Sequence, residues 1–142
     1  AFMIWRYPAI TQGVGAKQSW LGPGVNLPNA DYQRLAIDGQ IWLLQSGGRI
    51  TRYTRGAPQS FTLSGLDTPL GSNITSFAVH PDQDLLALLD SDNHRVVITT
   101  KAGVYQKQVV WPGLSQAQDI ALSADAATLY ILSQGIIYAT PI

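Results

Sequence analysis

Nine aspartates, two histidines and no glutamate or cysteine bound the chemistry open to this 142-residue chain. The densest group that could hold a ligand is Asp90, Asp92, Asn93 and His94. Oxygen-rich spacing of this kind suits a hard cation such as Ca²⁺. Asp and Asn in a turn also bond backbone groups, and that turn-capping role is the one expected here, with no metal or cofactor. A hydrolytic triad needs a nucleophile, a base and an orienting acid. His80 stands before Pro81 and reads as a turn residue, so no catalytic residue is assigned. Gly113-Leu114-Ser115-Gln116-Ala117 lacks the final glycine of a nucleophile elbow. Gly13-Val14-Gly15 and Gly22-Pro23-Gly24 complete no phosphate-loop pattern and read as turns. Without cysteine, disulfides, thiolate catalysis and zinc–thiolate sites are excluded.

The elements that must position these residues are strands and turns. Apolar residues make up 46% of the chain and charged residues 13%, a globular composition. The charged helix formers are scarce, with three lysines and no glutamate, while thirteen glycines and eight prolines supply breaks. The net charge is zero, which argues against a nucleic-acid binder. The longest aliphatic run, 85–89, is far too short for a membrane span. The opening residues do not read as a signal peptide, and a processed product or a piece of a longer chain is expected. Asn73-Ile74-Thr75 fits a glycosylation sequon, relevant only in a eukaryotic secretory route.

The chain repeats. Leu35-Ala36-Ile37-Asp38, Phe77-Ala78-Val79-His80 and Ile120-Ala121-Leu122-Ser123 place their alanines 42 and then 43 residues apart. Each leads through a turn to a second apolar run, 41–44, 85–89 and 129–132, expected to be buried on both faces. A polar turn follows, then a third strand at 49–54, 95–100 and 135–140. Ile4-Trp5-Arg6-Tyr7 mirrors Ile50-Thr51-Arg52-Tyr53, an earlier copy of that third strand. Outer fourth strands are expected at 17–21, 60–63 and 105–111. Four short strands per 40–46 residues is the period of a β-propeller blade. A β-sandwich would not require such matching. The expected fold is therefore all-β, in antiparallel four-stranded blades at 1–30 (partial), 31–72, 73–115 and 116–142 (partial).

Leu89-Asp90-Ser91-Asp92-Asn93-His94-Arg95-Val96-Val97, followed by Gly103, resembles the NHL repeat. The other blades depart from that pattern, with Gln45 and Ser133 where Asp90 stands. The resemblance implies blades around a central channel, the first strand of each innermost. It also implies a binding face formed by the fourth-to-first and second-to-third strand loops. Carried onto this chain, that face offers Asn29, Asp31, Asn73, Gln116 and Gln118 from the first set of loops. The second set offers Asp92, Asn93 and His94, with Ser46 and Gln134 beside them.

Labelled A to D from the channel outward, the strands read C-D, A-B-C-D, A-B-C-D, A-B-C, thirteen in all. Propellers close with roughly four to eight blades, so this chain is expected to be half of a six-bladed ring. Either blades of a longer parent chain or a second copy would complete it. The expected function is non-enzymatic, a binding or scaffold module for a protein or polymer partner at one mouth of the channel. The alternative is a hydrolase or lactonase-like enzyme with a metal held by Asp31, Asn73, Asp92, Asn93 and Asp119. Most aromatics are expected between blades, with Trp20 and Trp111 as the exposed pair.

Overall fold

The computed structural model describes residues 2–142; Ala1, the start of the first expected blade, lies outside them. Among the described residues fifteen strands run in chain order. The first four are β1 (Trp5–Arg6), β2 (Ala9–Ile10), β3 (Gly13–Val14) and β4 (Gln18–Ser19). A four-stranded sheet follows from β5 (Tyr32–Ile37), β6 (Ile41–Gln45), β7 (Ile50–Thr54) and β8 (Ala57–Gln59). The next comprises β9 (Ile74–Val79), β10 (Leu86–Asp90), β11 (Arg95–Thr99) and β12 (Tyr105–Val110). The last has three strands, β13 (Ala117–Leu122), β14 (Thr128–Ser133) and β15 (Ile136–Pro141). In these three sheets each strand pairs antiparallel with its chain neighbour, as a meander, and β1 pairs β4. Among the described residues no helix is long and apolar enough to cross a membrane.

The continuous apolar runs exist because the middle sheets have neighbours on both faces. Successive strand side chains point to opposite sides. Ile41 and Leu43 thus join Leu21, Leu27 and Tyr53 on one side of β6. Trp42 and Leu44 join Phe77, Leu86 and Leu88 on the other. In β10, Leu86 and Leu88 face back to that cluster. Ala87 and Leu89 face forward to Ile120, Leu129 and Ile131. Each fully buried aliphatic side chain stabilises by about 1.5–3 kcal/mol.

Four expectations need correcting. The outer strand of the second unit is Ala57–Gln59, not residues 60–63. Phe61 leaves the sheet edge to meet Trp42 edge-on, at 5.6 Å between centroids. Residues 9–14 form a hairpin of their own, which brings the described strands to fifteen rather than the thirteen expected. β14 is not buried on both faces: Leu129, Ile131 and Ser133 are covered, but Tyr130 is exposed, because nothing in the described chain covers that side. Trp20 and Trp111 are half-buried, Trp20 in the cluster around Tyr53 and Trp111 against Tyr138. Trp5 is the exposed tryptophan.

The two complete sheets turn from third to fourth strand through a glycine pressed against the preceding unit. Gly56 has φ +80°, and a Cβ there would lie 2.6 Å from the Trp20 carbonyl oxygen. Gly103, at φ +91°, would collide with the Thr62 carbonyl.

An ion pair links the second and third units. Asp38, its side chain 1% exposed, meets the Lys101 ammonium at 2.7 Å. Burial alone would raise its carboxyl, but Lys101, the Trp42 indole N–H and the Gln40 amide outweigh this and hold it below the ordinary value. A depressed carboxyl stabilises the fold above the unfolded value and loses that contribution as pH falls through the folded one. Melting temperature is therefore expected to drop on acidification below about pH 4. Asp38→Asn should lower it at neutral pH and flatten the acid limb, as thermal melts at stepped pH would register.

Candidate functional site

Three times the chain enters an inner strand from an outer loop, and three times that loop is tied to the adjacent second-to-third strand turn. The Ser46 amide donates to the Asp31 carbonyl at 2.9 Å. The Ser91 amide donates to the Asn73 carbonyl at 3.4 Å. The side-chain amide of Gln134 donates to Oε1 of Gln116. The two sets of loops assigned from sequence to one mouth are thus joined, unit by unit.

The middle unit is the most heavily built. Asp92 Oδ2 accepts from the Ser72 amide at 2.9 Å, the Ser72 hydroxyl at 3.1 Å and the Asn73 amide at 3.0 Å. Asp90, fully buried, accepts from the Gly71 amide through Oδ1 and from Asn93 Nδ2 and Arg95 Nε through Oδ2. Arg95 donates further to the carbonyls of Thr68 and Pro69 and to Gln108 Oε1. A Cβ on Gly71 would lie 2.5 Å from that of Asp92, so the loop passes where only glycine fits. The turn-capping role of this cluster holds with one difference. The carboxylates cap a loop some twenty residues upstream rather than their own turn.

Asn29 and His94 are exposed, and His94 takes the left-handed φ of 50° at its turn. Gln118 is not in a loop but within β13, at a bulge. Equivalent bulges interrupt all three inner strands, at Gln33, Thr75 and Gln118. Bulges re-aim neighbouring groups, and sequence matching did not find these. Arg34 exploits two of them. Its guanidinium reaches the Thr75 carbonyl at 3.5 Å and the Gln118 carbonyl at 3.2 Å, and pairs with Asp119 at 3.4 Å. Asp119 Oδ1 accepts from the buried Ser76 hydroxyl. A polar rung therefore crosses the three inner strands one or two residues inside the mouth loops. Arg34 was missed because its partners lie 41 to 85 residues away.

No group of three or more Asp or His side chains that could hold a metal ion forms among the described residues. Of the set named for a metal, Asp119 binds Arg34 and Ser76, and Asp92 binds backbone amides. His80 stands in the turn between β9 and β10, as expected, and is buried there. Its Nδ1 accepts from the amides of Asp82 and Gln83, which leaves Nε2–H to donate to the Ala124 carbonyl at 3.0 Å. It fastens the first-to-second strand turns of adjacent sheets.

Sheets stacked face to face, with β5, β9 and β13 innermost and side by side, define part of a β-propeller. Solved structures bear this out. The chain aligns with a chain of a nidogen/laminin complex at TM-score 0.67 and 16% identity, over 98% of this chain and 54% of that one. It aligns with the Cps50 (Swd1) β-propeller domain of Myceliophteria thermophila at 0.58 and 9%, over 84% and 41%. With virginiamycin B lyase from Staphylococcus aureus the values are 0.57 and 19%, over 90% and 46%. At such identities the likeness shows the fold alone, and the chain spans about half the length of these structures. No family model and no curated protein matches the sequence.

Proposed function

We propose that this chain is an NHL-like, non-enzymatic binding module that presents a protein or polymer partner with the loops at one channel mouth. The observation that carries the reading is the state of the polar groups there. Asp90, Asp92 and Asp119 already take donors from loop amides, Asn93, Arg95, Arg34 and Ser76, so they build the rim. Asn29, His94, Gln116 and Gln118 stand exposed upon it. A surface of exposed amides and an imidazole on a rigid rim suits recognition by hydrogen bonding. The Asp90–Asn93–Arg95 arrangement supports the NHL-like assignment for the middle blade.

A photo-crosslinking amino acid at Gln116 tests this. Adducts to a discrete partner are expected there and not from Asp82, which lies in a turn at the opposite end of the blades. Turnover of an ester or lactone by the metal-loaded protein would overturn the reading.

Ring completion belongs to the same proposal. Leu35 and Ile37, at 60% and 64% exposure, share an open cavity with Trp5 and Trp20 on one flank. Tyr130 and Ile137 are bared on the other, the face of the last sheet turned away from the preceding unit. Soluble proteins rarely leave contiguous apolar patches of this kind uncovered. Further blades, from a parent chain or a second copy, would cover both. Light scattering across a dilution series is expected to give about twice 15.4 kDa if two copies suffice. A mass of 15.4 kDa would assign the missing blades to a parent chain.

A further inference from the structure

A second site, away from the channel, follows from the early departure of β8. In the third unit the outer strand pairs along the whole of its neighbour, from Arg95↔Val110 to Thr99↔Tyr105. In the second unit β8 pairs only with Arg52, Tyr53 and Thr54. The edge of β7 at Ile50 and Thr51 is left without a strand beside it.

The direction of the backbone groups can be read from the hairpin. The Gln45 amide donates to the Arg49 carbonyl, so Arg49 faces β6. Alternation along the strand then turns the N–H and C=O of Ile50 outward, past the last paired residue. Beside them opens a polar cavity of about 450 Å³, lined by Arg49, Ile50 and Thr51 on one side and by Gln59, Ser60 and Phe61 on the other. Arg49 is the cavity's one charged residue, is exposed, and makes no ion pair among the described residues.

The chain's own residues 60–63 are held away from this edge. Phe61 is edge-on to Trp42, and Ser64 exchanges backbone hydrogen bonds with Gly103 and Tyr105 at 2.9 Å each. Zipping residues 60–62 onto β7 would forfeit those contacts.

We propose that this edge takes up an extended peptide bearing an acidic side chain, which adds as a short strand outside β7. Its backbone would pair with Ile50 and its carboxylate with Arg49. Strand addition draws its affinity from main-chain hydrogen bonds and its selectivity from alternate side chains. The open stretch accommodates about three residues, roughly 10 Å at the rise of a strand.

The test uses three fluorescein-labelled pentapeptides on the full chain. They are Thr-Val-Glu-Val-Thr, the same peptide with lysine for glutamate, and the glutamate peptide with N-methylated backbone. The glutamate peptide should bind about tenfold or more tightly than either other, with the Ile50 amide resonance shifting on titration. Arg49→Ala should abolish the preference for glutamate over lysine while the N-methyl penalty persists. Equal affinity for all three, no binding, or shifts confined to mouth residues such as Asn73 and Gln116 would overturn the proposal. The last outcome would still leave the channel-mouth reading standing.

Discussion

Replacing Arg95 by alanine is expected to cost about 3–5 kcal/mol of unfolding free energy, the typical loss when one partner of a buried ion pair is removed. Asp90 and Arg95 meet at 2.9 Å, with side chains 0% and 7% exposed. The truncation strands the Asp90 carboxylate and orphans the carbonyls of Thr68 and Pro69. Against a total of roughly 5–15 kcal/mol for a domain, that is a large share. Urea denaturation followed by circular dichroism measures it, provided the slope is unchanged. The double variant Asp90→Asn with Arg95→Met should lose much less, because no unpaired charge remains buried. A single-variant loss below about 1 kcal/mol would mean that water enters the pair and that the rim is not held as described. The Arg95→Ala rim should also bind its partner more weakly, since the loop carrying Ser72 and Asn73 loses its anchor.

Trp42→Ala carries the second large effect, expected at about 3–5 kcal/mol for an indole removed from a packed core. Trp42 is fully buried among Leu44, Phe77, Leu86 and Leu88. It also donates to Asp38 at 2.9 Å and lies under the Arg52 guanidinium at 5.1 Å. Trp42→Phe retains much of the packing and loses the indole hydrogen bond, so it should cost distinctly less. The same denaturation experiment separates the two variants. A further consequence is local. Without Trp42, Phe61 loses its anchor, residues 60–63 can pair along β7, and the peptide-binding edge should close.

How far each feature was legible in the sequence tracks how near its causes lie along the chain. The four-strand period, the apolar runs at 41–44 and 85–89 and the turns between them could be read directly, since strand alternation and turn chemistry act over a few residues. The carboxylate of Asp92 taking the Asn73 amide was not legible, since the two lie nineteen residues apart and only packing brings them together. The hairpin at 9–14 escaped because it repeats nothing.

What the tertiary structure alone decided involves partners remote in sequence. Phe61 meets Trp42 nineteen positions away, and that contact ends β8 at Gln59. His80 is buried because the Ala124 carbonyl of the next unit receives its Nε2–H. Arg34 spans three inner strands because bulges at Thr75 and Gln118 turn carbonyls toward it. The sequence by itself determined the four-strand period, the order of the units and the apolar runs at 41–44 and 85–89. Packing decided which polar groups are spent inside the rim, which stand free upon it, and where a strand edge stays open. Burial assigns those roles, and burial depends on the neighbouring blade rather than on the neighbouring residue.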